Sequence, residues 1–366
     1  MPLAGSFPGL QSWHPTTVHL PAETWIEICK YIELQDDLAQ LAVVSKYLNP
    51  IVTEALYKTV ALSSPRALRS FHAALNEYPH RAAWIRDLRI EWTEETGARV
   101  PQIMGQWFVE IIDALRDGKT EHLSFLVFPR DTSTRSGVSS SKFEGAIKAY
   151  IKALGLTGIH LAQSVRTVDT SSHLFRSTLI PDSPVKPVAP LVALSLHGVA
   201  CLRLEHELYP EIRPMAGTLR SLRIALRHPV LHHPLWVCFH VRLRLPKLEL
   251  LEFTEVEPVW KAPHRSMSRF DRLGLFGPNS FKHLNKDLPR LRTLVWFPAW
   301  GDVEDLGPGM QYVEDVREDV FAFLKVRTFA VMLPRERCVL FESSKEEPHY
   351  TIVPRNRFDD LGWRAT

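Results

Sequence analysis

A short pattern, apolar-x-x-apolar-x-apolar, recurs through most of the chain and limits its fold more than any other feature. Copies read IRDLRI from Ile85, LSFLVF from Leu123, VRTVDT from Val165, LVALSL from Leu191, LRSLRI from Leu219, LELLEF from Leu248, LRTLVW from Leu291 and VRTFAV from Val326. Successive copies start as little as 26 residues apart, Val165 to Leu191, and as much as 43, Leu248 to Leu291. The last two apolar positions flank a variable one, which is how a strand buries a single face. Between copies, Gln102 to Leu115, Phe143 to Leu154 and Asp315 to Leu324 carry apolar residues at helical spacing. Strands alternating with helices predict an α/β chain with a parallel sheet, wound as a solenoid. Ser64 to Tyr78 reads as a helix leading into the array, with Leu68, Phe71 and Leu75 on one face, and the segment after Val331 reads as a closing strand pair or a cap.

The first sixty residues follow a different rule. From Leu20 the chain reads LPAETWIEICKYIELQDDLAQLAVVSKYLNPIVTEALYKTV, and its apolar residues recur three or four apart. Pro21 suits a first helical turn and Glu23 the positive end of a helix, so a first helix is expected from Pro21 to Tyr31. Asp36 or Asp37 is placed to cap a second helix holding Leu38, Leu41 and Val44, and Asn49-Pro50 to open a third holding Ile51, Ala55 and Leu56. Helices this short bury little by themselves, so the module should lean on a partner or on the next domain.

The order Leu20-Pro21, Glu23, Ile28, Leu34, Asp37-Leu38, Leu41, Val44-Ser45-Lys46 and Leu56-Tyr57 resembles the F-box family. That resemblance implies docking onto the Skp adaptor of a cullin-RING ubiquitin ligase. Leu20 and Pro21 would lead, with Ile28, Leu34, Leu38, Leu41 and Val44 adding apolar contact. Many members of that family have tryptophan where this chain has Tyr57. The recurring pattern downstream resembles an irregular form of the leucine-rich repeat, which places Asn or Cys where this chain has Val199, Arg227, Val256 and Ala299. Variable strand residues then become the candidate client contacts: Ser195, His197, Arg223, Glu252, Thr254, Val295 and Phe297.

Composition argues against several other classes. Forty-four basic residues against 41 acidic ones give a net charge of +3, too balanced for the broad basic footprint of a nucleic-acid binder. Four cysteines, Cys29, Cys201, Cys238 and Cys338, are too few and too scattered for a disulfide framework, so a reducing cytoplasm or nucleus is expected. No apolar run approaches a membrane span, and no leader pattern precedes Trp13, so neither membrane nor secretion is expected. The chain has no GxSxG elbow, phosphate-cradling glycine loop or HExxH pair. Cys201, His206, Cys238 and His240 fit no zinc spacing, and His232-His233 sits in a proline-flanked turn. Glu94-Glu95, Glu346-Glu347 and Asp359-Asp360 read as solvated loop carboxylates. No catalytic residue, metal or cofactor is expected. Trp236, Trp260, Trp296 and Trp300 read as core residues ahead of recognition residues. Residues 130–141 read as a Ser-rich loop open to phosphorylation, and 180–190 as a Pro-rich link.

The organisation expected is a flexible start (1–15), an F-box-like helical module (16–60), a linking helix (61–80), a repeat domain (81–333) and a C-terminal cap or tail (334–366). Such a chain would act as a substrate-recognition adaptor for a protein client. The alternative is a repeat scaffold or interaction module that engages no ligase.

Overall fold

The apolar copies become strands of one sheet. The computed structural model describes residues 20–32, 35–94, 102–129, 141–156, 158–175, 189–199, 212–226, 238, 245–255, 283–297, 307–333, 337–343 and 350–354. Its strands are β1 (Thr59–Leu62), β2 (Asp87–Glu94), β3 (His122–Pro129), β4 (Thr167–Ser171), β5 (Ala193–Val199), β6 (Ser221–Leu226), β7 (Leu250–Glu255), β8 (Thr293–Phe297), β9 (Thr328–Leu333), β10 (Arg337–Glu342) and β11 (Tyr350–Pro354). They lie side by side in strict sequence order. Pairing is parallel from β1 to β9 and antiparallel where β9 meets β10 and β10 meets β11.

Nine α-helices are present among the described residues: α1 (Ala22–Lys30), α2 (Gln35–Val44), α3 (Leu48–Lys58), α4 (Pro65–Glu77), α5 (Ile103–Ala114), α6 (Lys142–Ala153), α7 (Ser172–Leu174), α8 (Leu284–Asp287) and α9 (Gly307–Phe323). None is long and apolar enough to cross a membrane. The chain divides into two compact units, Met1–Tyr57 and Lys58–Thr366.

Register explains the pattern. Leu88, Leu123, Val168, Leu194, Leu222, Leu251, Leu294 and Phe329 fall opposite one another along the sheet, and none is more than 3% exposed. The next inward row, two residues on, is Ile90, Phe125, Thr170, Leu196, Ile224, Phe253, Trp296 and Val331, none more than 2% exposed. Removing each such aliphatic or aromatic side chain from water contributes about 1.5–3 kcal/mol. Trp296 belongs to this core, stacked on Phe253 with ring centroids 6.2 Å apart.

The structure differs from the sequence reading at both ends of the first repeats. LSFLVF is out of step by three residues: its inward residues are Leu123, Phe125 and Val127, and Leu126 takes the other face. The leading apolar position of that copy belongs to Thr120, fully buried, whose hydroxyl donates to the Ile85 carbonyl at 3.1 Å. A hydroxyl satisfied by the neighbouring turn fills an aliphatic position there, and an apolar template passes over it. Residues 59–62, placed partly in a linking segment, are instead the first strand. Tyr57-Lys58-Thr59-Val60-Ala61-Leu62 carries the same pattern, hidden because it abuts a helix.

Helix ends are set by local chemistry. Ser64 caps α4 by accepting from the Ala67 N–H at 3.2 Å, with Pro65 in the first turn. Asp36 and Asp37 lie inside the first turn of α2 rather than ahead of it, where they oppose the positive end of the helix dipole. Ser141 caps α6, and a second acceptor comes from a distance: Glu94, at the end of β2, takes the N–H of Lys142 at 3.0 Å and of Phe143 at 2.7 Å. Glu94 is 8% exposed, so it is a buried helix cap and not a solvated loop carboxylate. Helix α5 packs between α4 and α6, and Gly105 lets α5 lie directly on the α6 backbone.

Candidate protein-docking surfaces

In the first unit, Cys29, Leu38, Ala42, Leu48 and Val52 form a small core, flanked by Trp25, Ile32, Leu41, Ala55 and Leu56. Asn49 donates its side-chain amide to the Ala42 carbonyl at 3.0 Å, joining α3 to α2. Tyr47 donates to the Leu20 carbonyl at 3.3 Å and so holds the residue that precedes α1. Leu38, expected at a docking surface, is 6% exposed and holds the helices together, with Leu41 half-buried beside it. Since α2 turns positions 38, 41 and 42 inward, 3.6 residues per turn sends 43 and 44 outward. Val44 is accordingly 73% exposed and Val43 82%. Pro21 is exposed, and Leu20 and Ile28 are half-buried. Ile26, Tyr31 and Tyr47 add further exposed apolar surface that the sequence pattern did not single out. Leu34 lies outside the described residues.

In the second unit, the strand residues between the inward leucines share the opposite face of the sheet. Asp169, Ser195, Arg223, Glu252, Val295 and Ala330 fall in one row across β4 to β9. The sequence offered several of these as client contacts, and the structure corrects part of that set. Ser195 is fully buried, Val295 is 2% exposed and Glu252 7%; His197, Arg223, Thr254 and Phe297 are half-buried. Strands about 4.8 Å apart let neighbouring side chains cover one another, so a short serine or valine disappears between longer ones.

These neighbours pair across strands. Arg223 donates from Nη2 to Oε2 of Glu252 at 2.8 Å, and its Nε lies 2.7 Å from Oε1, an ion pair that holds β6 to β7. The Ser124 hydroxyl donates to Glu91 at 2.7 Å, joining β3 to β2. Towards β11 the face turns apolar: Val295, Ala330, Met332, Cys338 and Val353 form a cluster packed by Phe297 and Leu340. Burial there pushes the Cys338 thiol up to about 12, so it stays protonated and unreactive at neutral pH.

Ser195, His197 and Asp169 have the residue types of a hydrolytic triad without its geometry. A single ring nitrogen, Nε2 of His197, meets both the Ser195 hydroxyl at 3.2 Å and the Asp169 carboxylate at 2.8 Å. A relay needs the aspartate on one ring nitrogen and the serine on the other. Ser195 is also closed to any substrate. Among the described residues, no group of three or more His, Cys, Asp or Glu is placed to hold a metal ion. On the helical side, Glu110 of α5 accepts from Gln106 at 2.8 Å and from Tyr150 at 3.4 Å and meets His72 at 2.6 Å, tying α4, α5 and α6 together. Burial acts to raise its carboxyl. The hydrogen bonds from Gln106 and His72, the charge of His72 and the bond from Tyr150 outweigh that and hold it below the usual carboxylate range.

Cys201, His206, His240, His232-His233, Trp236, Trp260, Trp300, the Ser-rich stretch 130–140 and the repeat positions Arg227, Val256 and Ala299 lie outside the described residues, as do Glu95, Glu346-Glu347 and Asp359-Asp360. No family model and no curated protein matches the chain.

Proposed function

We propose that this chain is a substrate-recognition adaptor: an F-box-like helical unit that docks onto the Skp adaptor of a cullin-RING ubiquitin ligase, followed by a leucine-rich-repeat-like solenoid that holds a protein client. One observation carries the reading. A unit with five buried core residues leaves Pro21, Val43, Val44 and Tyr47 in water, apolar surface that a partner's groove would cover. The order of residues from Leu20 to Tyr57 supports the choice of partner. Strands stacked in sequence order, with buried apolar residues recurring along both inward rows apart from Thr170, support the repeat reading of the second unit. In this reading the contact residues are Leu20, Pro21, Ile28 and Val44. Leu38 supports them from within.

Val44→Asp tests it, because a side chain 73% exposed contributes little to the fold. Purified Skp adaptor should bind the intact chain and lose at least about tenfold in affinity for Val44→Asp with unchanged circular dichroism, a difference of about 1.4 kcal/mol. Absence of binding by the intact chain would overturn the ligase reading and leave a repeat scaffold.

A further inference from the structure

The parallel strands of the second unit begin in step, and the residues just before them form a line of their own. Each donates its N–H to the carbonyl of its counterpart on the preceding strand: Val192 to Arg166 at 2.7 Å, Arg220 to Val192 at 2.8 Å, Glu249 to Arg220 at 2.7 Å, Arg292 to Glu249 at 2.9 Å and Arg327 to Arg292 at 2.8 Å. One residue per strand is thereby fixed along the N-terminal edge of the sheet, at the interstrand spacing of about 4.8 Å.

Four of those six residues are arginines, Arg166, Arg220, Arg292 and Arg327, and all four are exposed. Two positions upstream of the last pair, Arg290 and Lys325 are exposed as well. Just ahead of β8 and β9 this makes a two-by-two block of cations. Among the described residues none of Arg220, Arg290, Arg292, Lys325 and Arg327 has an ion-pair partner. Unit charges one strand apart repel by about 0.9 kcal/mol in water before screening, and ions damp this over about 8 Å. Such a block is relieved by an anion, and because the backbone ladder already fixes the spacing of the chain, the ordering cost of binding falls on the side chains alone.

The sequence of charges along the line selects among polyanions. It is broken by Glu249, between Arg220 and Arg292, which would repel a continuous phosphate backbone. A single extended polypeptide suits it, since about seven residues at about 3.3 Å each cover the distance from β4 to β9 and carboxylates spaced along it can skip the acid. We propose that the N-terminal edge of the sheet, centred on Arg290, Arg292, Lys325 and Arg327, is a docking strip for an acidic polypeptide segment. It stands whether or not the helical unit engages a ligase.

The test titrates the full chain into a fluorescent peptide of about ten residues alternating Glu and Ser, followed by anisotropy, beside a single-stranded oligonucleotide of about ten nucleotides. Arg292→Glu with Arg327→Glu should weaken peptide binding at least about tenfold, and raising salt from about 50 to about 200 mM should weaken it about threefold or more. Arg66→Glu with Arg69→Glu, exposed on α4 and not members of that line, should leave it unchanged. If the charge reversal disturbs the circular dichroism, Arg292→Gln with Arg327→Gln replaces it. No measurable binding of the peptide, or equal binding by the edge variant, overturns the proposal. So does tighter binding of the oligonucleotide with the same sensitivity to the edge variant, which would assign the strip to nucleic acid.

Discussion

Substituting Gly105 by alanine should be among the most damaging single-methyl changes available to this chain. A Cβ at that position would lie 2.3 Å from the Ala146 carbonyl oxygen, 2.4 Å from its carbon and 2.7 Å from the Ile147 nitrogen. Ordinary contacts begin at 3.4 Å, so α5 and α6 would have to part by about 1 Å. The obstructing atoms are helix backbone and no rotamer change removes them, which puts the cost at the top of the overpacking range, about 3 kcal/mol. Parting the helices also loosens Phe108, whose ring meets Phe125 at 4.9 Å and Phe143 at 5.7 Å, a further loss of up to about 1 kcal/mol. Alanine's advantage over glycine within a helix returns about 1 kcal/mol. The expected net loss is about 2–3 kcal/mol. Urea denaturation followed by far-ultraviolet circular dichroism measures it as a lower midpoint at unchanged slope. Gly145, on α6, supplies the control: nothing lies within 4 Å of a Cβ there, so Gly145→Ala should be neutral or gain up to about 1 kcal/mol. A Gly105→Ala midpoint equal to or above that of the unmodified chain would refute the close approach of α5 to α6.

Two other changes probe the helical side. Glu94→Ala removes the acceptor of the Lys142 and Phe143 N–H groups, so stability should fall by about 1–3 kcal/mol and those two amides should exchange faster with deuterium; unaltered exchange at both would show that Glu94 caps nothing. Because the Glu110 carboxyl is held below its unfolded value, its contribution is complete above the unfolded value of about 4.3 and is lost as pH falls through the folded one. The stability difference between the unmodified chain and Glu110→Gln should therefore hold steady above about pH 5 and shrink as pH falls below about 4.3, and a constant difference would contradict the depression.

Most of the sheet could be read in advance because its inward rows need aliphatic or aromatic residues at two fixed positions per strand, and a one-dimensional pattern records that need directly. The pattern failed where chemistry substitutes for hydrophobicity. Thr120 passes as buried only because a carbonyl on the next turn takes its hydroxyl, a fact about the fold and not about threonine. Glu94 reads as a loop carboxylate until the N-terminus of α6, 48 residues later, is brought against it. The candidate docking residues divided along a similar line. Val44 and Pro21 lie on the surface as a partner would need. Leu38 went to the internal core, since helical spacing marks an apolar face without saying whether the molecule itself or a partner covers it. On the sheet, alternation placed Ser195, Glu252 and Val295 on the correct face but could not show that their neighbours across the strands would bury them.

The strict ordering of the strands has a consequence for how the second unit comes apart. Among the described residues, every strand from β2 to β10 pairs with the two that precede and follow it in the chain and with no remote one. No step of assembly waits on the meeting of distant ends, so loop-closure entropy stays small throughout and an adjacent pair anywhere along the sheet is a possible nucleus. Stability is then distributed as a series of nearest-neighbour terms, and the terminal strands β1 and β11, with one neighbour each, are where fraying begins. A fault in the middle of the series splits it into two shorter sheets, whereas a fault at either end only shortens it.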